Sequence, residues 1–103
     1  MSQENFYPDW RDKVIYGPGG PQPSILMADE KAKVLIAGLE PGQKIPEHAE
    51  STSIYHFLAG SGRMTVDGQI YEVSAGATIV MPAGTVRGLE AIERLAFLAV
   101  RIA

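Results

Sequence analysis

Residues 76–87 have the sequence Gly-Ala-Thr-Ile-Val-Met-Pro-Ala-Gly-Thr-Val-Arg, in which a short β-branched run lies between a glycine and a proline. Thr, Ile and Val favour a β-strand, and proline ends strand pairing because it has no N–H to donate. This stretch therefore predicts a strand over 77–81 and a tight corner over 82–84.

Glycine and proline also separate short apolar runs along the rest of the chain, which contains 11 glycines and 7 prolines. Asp67-Gly68 is a strong hairpin signal between two short runs that alternate or are rich in β-formers. Short strands separated by turn residues are typical of a β-sandwich or β-barrel. The predicted strands lie at 24–28, 33–39, 53–59, 63–66, 69–73 and 77–81.

The segment 94–102 is compatible with a helix or a strand, and we assign a strand because every preceding element is β. Its two faces are both apolar, with Phe97 on one and Leu98 on the other. One face can fill a barrel, and the other needs a cover: a second sheet, the N-terminal arm or another subunit. We expect a homodimer.

The N-terminal region differs from the rest of the chain. Residues 1–12 are polar, with Phe6, Tyr7 and Trp10 interspersed, and 17–23 are mostly glycine and proline. A helix could not cross such a segment. We therefore predict an arm and turn over 1–23, whose aromatic side chains cover an outer face, and one β-domain over 24–103.

Composition excludes several classes of function. The net charge is −3 and the nine basic residues are scattered, which argues against a nucleic-acid partner. The chain has no cysteine, which excludes disulfides and thiolate metal sites. The N-terminus lacks the pattern of a signal peptide, and no apolar run is long enough for a membrane span. We expect a cytoplasmic protein with no membrane partner.

Three segments, 42–50, 54–60 and 76–87, together resemble the cupin family of small antiparallel jelly-roll barrels. The family's first motif is G-x5-H-x-H-x3,4-E-x6-G, and its second is G-x5-P-x-G-x2-H-x3-N. Gly42 and His48 keep the first spacing, while Gly76, Pro82 and Gly84 keep the second. The resemblance covers residues 33–102. It implies an all-β, single-domain cupin-type jelly-roll β-barrel, here with an N-terminal arm.

In the family, three histidines and one glutamate bind a divalent metal inside the barrel. The resemblance implies that His48, Glu50, Ser53 and Arg87 stand at these positions. A guanidinium is permanently charged and has no lone pair for a metal, so we favour a pocket with no metal cofactor. We expect Arg87 to pair with Glu50 or to meet an anionic ligand.

The strand over 53–59 sets which further side chains face inward. Counting by twos from Ser53 places Tyr55 and Phe57 inside and His56 outside, whereas a one-residue slip would bring His56 in. The alternative is therefore a divalent metal held by His48, Glu50 and His56. The predicted pocket-lining residues are His48, Glu50, Ser53, Tyr55, Phe57, Ile79, Met81 and Arg87.

Three functions are compatible with these residues. The favoured hypothesis is a barrel that binds a small polar or anionic molecule in a metal-free or atypical pocket. The alternatives are a metal-dependent enzyme of the dioxygenase or isomerase type and a non-catalytic structural or regulatory dimeric module. No catalytic residue is assigned, and fold alone does not choose between these hypotheses.

Overall fold

Residues 4–103, the part of the chain that the computed structural model describes, form nine β-strands after a short 3₁₀ turn at Trp10–Asp12. The strands are β1 (Ser24–Ala28), β2 (Ala32–Leu39), β3 (Lys44–Ala49), β4 (Thr52–Ala59), β5 (Ser61–Val66), β6 (Gln69–Ser74), β7 (Thr78–Met81), β8 (Val86–Ala91) and β9 (Leu95–Ile102). The prediction of an all-β fold is confirmed, and the segment predicted over 94–102 contains the strand Leu95–Ile102.

The strands form two antiparallel sheets that face each other. The five-stranded sheet has the order β1-β2-β9-β4-β7, and the four-stranded sheet has the order β3-β8-β5-β6. Side chains that alternate toward the inside of both sheets form one core, because burying them removes apolar surface from water. Its fully buried members include Leu39, Phe57, Met64, Met81 and Leu95.

Sequence analysis delimited no strand at β3 or β8, which are paired with each other. Neither segment has a regular apolar alternation: β3 contains Pro46, Glu47 and His48, and β8 contains Arg87 and Gly88. Their pairing depends on contacts distant in sequence, and local propensity does not register such contacts.

A bulge in β3 changes which of its side chains face the core. Ile45 is paired with Leu89 and His48 with Arg87, so β3 has one more residue than β8 in this interval. An extra residue of this kind shifts the alternation of the strand. As a result Ile45 and His48, three positions apart, line the same cavity.

The described part of the N-terminal region, residues 4–23, contains no strand. Residues 7–16 contact the outer face of the five-stranded sheet, while Pro21 and Pro23 lie at a cavity between the sheets. A Cβ added to Gly38 would lie 2.7 Å from the Tyr16 ring and 2.8 Å from a Val14 methyl, so β2 and this segment are in close contact. Tyr7 and Trp10 line a groove on the same face. Phe6 differs from the expectation for the arm aromatics, because it is 76% exposed.

Candidate ligand cavity

A cavity of about 180 Å³ lies between the two sheets, beside the Pro21–Pro23 segment. Its apolar wall comes from the inner faces of β2 and β9, through Leu35, Phe97 and Ala99. Its polar lining side chains are His48, Tyr55 and Arg101. The cavity is therefore mostly apolar with a few convergent polar groups, as small-molecule sites usually are.

Arg87 is buried inside the barrel, with 1% of its surface exposed. Its Nε donates to the Thr85 carbonyl at 2.9 Å, Nη1 donates to Ser53 Oγ at 3.0 Å, and Nη2 donates to the Ser51 carbonyl at 3.3 Å. Ser53 Oγ in turn donates to the Ser51 carbonyl at 2.8 Å. All of these acceptors are neutral oxygens, so the guanidinium is held in place without a counter-ion among residues 4–103.

The expected ion pair between Arg87 and Glu50 is not formed. Glu50 lies just beyond the end of β3, and its Oε2 is 3.5 Å from Arg101 Nη1 and 3.6 Å from His48 Nε2. Arg101 lies directly across from Ser53 in the β4–β9 pair, and it is Arg101, not Arg87, that reaches the carboxylate. Sequence analysis missed Arg101, although the inward alternation of Phe97 and Ala99 continues to this residue.

The orientation of the His48 ring is fixed by one hydrogen bond. Nδ1 lies 2.8 Å from the Pro46 carbonyl oxygen, which can only accept, so Nδ1 carries the proton and donates it. This contact leaves Nε2 on the side of Glu50. In the neutral ring Nε2 is therefore the atom with the free lone pair.

Tyr55 joins the apolar and cationic parts of the site. Its ring stacks on Phe97, with centroids 5.0 Å apart and planes 12° from parallel. Burial raises the pKa of the Tyr55 hydroxyl, while the nearby Arg87 and Arg101 cations lower it in part. The hydroxyl is thus protonated at neutral pH and can donate a hydrogen bond.

Of the eight residues predicted to line the pocket, His48 and Tyr55 line this cavity. Ser53 and Arg87 are buried behind it and bonded to each other. Phe57 and Met81 are fully buried in the core, and Ile79 is partly buried against it. Glu50 stands at the rim through its contacts with His48 and Arg101.

The alternative metal site of His48, Glu50 and His56 is not assembled. His56 lies on the face of β4 opposite to Tyr55 and Phe57, and its Nδ1 is 2.7 Å from Thr78 Oγ1. Residues 4–103 contain no group of three His, Cys, Asp or Glu side chains that could hold a metal ion. His48 and Glu50 supply two donors beside the buried Arg87 cation, so this donor set does not fit the four-ligand site of the family.

No helix within residues 4–103 is long and apolar enough to cross a membrane.

Solved structures with the same fold cover most or all of the chain. A conserved Streptococcus pyogenes protein of unknown function is 28% identical, with a TM-score of 0.87 over 99% of this chain and 95% of that chain. A predicted oxalate decarboxylase from Thermotoga maritima is 26% identical, with a TM-score of 0.74 over 80% of this chain and 79% of that chain.

An uncharacterized conserved Klebsiella pneumoniae protein with a double-stranded β-helix domain is 20% identical, with a TM-score of 0.85 over 96% of this chain and 90% of that chain, a likeness of fold alone. Among curated proteins none matches significantly. Residues 35–101 match the family model described as "Cupin domain". The chain belongs to the cupin family.

Proposed function

We propose that this cupin binds a small organic anion in the cavity between its sheets, with no metal at the position of the family's ligands. The observation that carries the proposal is the buried Arg87 guanidinium, whose hydrogen-bond acceptors are three neutral oxygens. A buried charge without a counter-ion is costly, and an anion in the cavity would lower that cost.

The charges around the cavity support an anion over a cation. Arg87 and Arg101 contribute two positive charges and Glu50 contributes one negative charge, which leaves one positive charge in excess when His48 is neutral. The apolar walls lower the local dielectric constant and strengthen the attraction for an anion. The Tyr55 hydroxyl can add a hydrogen bond, because burial keeps it protonated.

The size of the cavity limits the ligand. An apolar cavity of about 150 Å³ can hold one benzene molecule, and this cavity has a volume of about 180 Å³. The ligand is thus of the size of benzoate or a short aliphatic acid.

The first experiment combines elemental mass spectrometry with thermal shift. Untagged protein purified without chelator is expected to contain no stoichiometric metal, and organic acids are expected to raise its melting temperature by mass action. The amides of the same acids serve as uncharged controls. The presence of a stoichiometric metal, with binding that is weaker in His48→Ala or Glu50→Ala, would contradict the proposal. It would favour a dioxygenase- or isomerase-type enzyme.

One observation favours the dimeric module as a second candidate. On the outer face of the five-stranded sheet, Val80, Ile54, Val100 and Val34 are successive cross-strand partners, and Val80 is 67% exposed. We refer to these four residues as the outer apolar row. A second copy of the chain packed on this row would bury it, and such a dimer is compatible with ligand binding inside the barrel.

A further inference from the structure

Resting on the proposed function, we infer that Arg101 binds the carboxylate of the ligand and that Glu50 competes for the same guanidinium in the free protein. The ligand class is then a small monocarboxylate with an apolar body. Glu50 acts as a specificity-determining residue, because it occupies the place that a ligand must take.

The contacts of Arg101 show that it can change partner. Its closest acidic atom among residues 4–103 is Glu50 Oε2, at 3.5 Å, which is longer than a charge-assisted hydrogen bond. Within the same residues no hydrogen bond of the Arg101 guanidinium is formed, in contrast to Arg87 with its three. The Arg101 side chain is 32% exposed, so solvent weakens its attraction to Glu50.

Glu50 is held as loosely as Arg101. One carboxylate oxygen, Oε2, lies 3.5 Å from Arg101 Nη1 and 3.6 Å from His48 Nε2. The Glu50 side chain is 28% exposed, and it stands in the loop after β3 and not in a strand. A rotation of this side chain into solvent would therefore free Arg101 without a change in the sheets.

The position of Arg101 defines the rest of the ligand. Arg101 follows Phe97 and Ala99 on the inner face of β9, and all three line the cavity together with Leu35. A carboxylate that forms a bidentate pair with Arg101 would place its apolar group against Phe97 and Leu35. A second carboxylate placed against Phe97 and Leu35 would meet no hydrogen-bond donor from these two side chains, which favours a ligand with a single carboxylate.

Calorimetric titration with benzoate tests the inference in the wild type, Glu50→Gln, Arg101→Gln and the double variant. Glu50→Gln keeps the shape and removes the competing charge, so benzoate is expected to bind about fivefold more tightly, the equivalent of one exposed ion pair. Benzamide affinity is expected to stay unchanged. In the Arg101→Gln background, Glu50→Gln is expected to give no gain, because the two residues act on the same contact.

Glu47→Gln is the matched control, since Glu47 lies on β3 three positions before Glu50 and lines a hollow on the outer face of the four-stranded sheet. Its benzoate affinity should equal that of the wild type. If the wild type binds benzoate and Glu50→Gln binds it equally or more weakly, Glu50 is not a competitor and only this inference fails. If neither the wild type nor Glu50→Gln binds any organic acid, the proposed function itself fails.

Discussion

His48 in β3 and Arg87 in β8 are direct cross-strand partners, so both side chains lie on the inner face of the four-stranded sheet. Cross-strand partners are about 5 Å apart, close enough for a guanidinium to repel a divalent ion at the histidine. We therefore expect the pair to favour an anion over a divalent cation at this site.

Replacement of Arg87 is expected to separate its roles in binding and stability. Arg87→Met keeps much of the side-chain volume and removes the buried charge, so we expect a loss of only about 1 kcal/mol in the free energy of unfolding. Arg87→Ala also leaves a cavity and is expected to cost about 3 kcal/mol. Benzoate affinity should fall at least about tenfold in Arg87→Met. Urea unfolding and calorimetric titration measure these changes.

Arg63→Met, on an exposed position of β5, is the control for loss of a positive charge. Arg63→Met should have a free energy of unfolding and a benzoate affinity close to those of the wild type. Benzoate binding that is the same in Arg87→Met as in the wild type would show that the buried guanidinium does not attract the ligand.

Tyr55 is expected to make stability depend on alkaline pH. Because burial raises the pKa of Tyr55 in the folded state, the unfolded chain ionises first, near the ordinary tyrosine value of about 10. The contribution of Tyr55 to the free energy of unfolding is therefore complete below about pH 10. It is lost as the pH rises through the pKa of Tyr55 in the folded state. In urea unfolding across this pH range, the free energy of unfolding should fall more steeply with pH for the wild type than for Tyr55→Phe.

Tyr71→Phe, at a residue of β6 that is 42% exposed, controls for the loss of a phenol. Its pH profile should follow that of the wild type. Profiles for the wild type and Tyr55→Phe that stay parallel above about pH 10 would contradict the burial argument.

Gly60 is predicted to be the glycine least tolerant of alanine among those at turns. Its φ is +83°, and an added Cβ would overlap the carbonyl oxygen of Arg94. Left-handed strain and the overlap together are expected to cost about 3 kcal/mol or more. Gly84 has a similar φ of +86° with no atom within 4 Å of an added Cβ, so Gly84→Ala should cost only about 1–2 kcal/mol. If urea unfolding gave equal losses in the free energy of unfolding for Gly60→Ala and Gly84→Ala, the overlap with Arg94 would be ruled out as the cause.

The outer apolar row is predicted to be the surface of a homodimer. Val80→Glu places a charge at its most exposed position. This variant should be a monomer in sedimentation at micromolar concentration, where we expect the wild type to be a dimer. Ile70→Glu, at a residue of β6 that is 63% exposed, is the matched control and should leave the dimer intact. A monomeric wild type would contradict the prediction directly.

Much of the fold could be predicted from local sequence because its turns depend on local chemistry. Asp67-Gly68 has φ values of +47° and +83°, as a tight hairpin turn requires, and β5 and β6 meet there. The alternation in β4 is likewise enough to separate Tyr55 and Phe57 from His56, because successive side chains of a strand point to opposite faces.

The candidate site was less accessible to such reasoning. β3 contains Pro46, Glu47 and His48 in succession, so it lacks the apolar alternation that indicates a strand. Its bulge cannot be inferred by counting alternate residues. The Arg87–Glu50 pair was a reasonable expectation from charge, but charge alone does not specify which cation a carboxylate reaches. Arg101 Nη1 and Glu50 Oε2 approach each other across 51 positions of the chain, as their residue numbers show.

The sequence by itself determined the glycine and proline corners and the inward alternation of its strands, and its resemblance to the family implied an arginine at a histidine position. These properties are carried by single residues or by neighbours along the chain. Only the tertiary structure decided that Arg87 binds Ser53 and two carbonyls while Arg101 pairs with Glu50. Such partners are chosen by the pairing of β4 with β9 and of β3 with β8, which brings together residues that no local pattern connects.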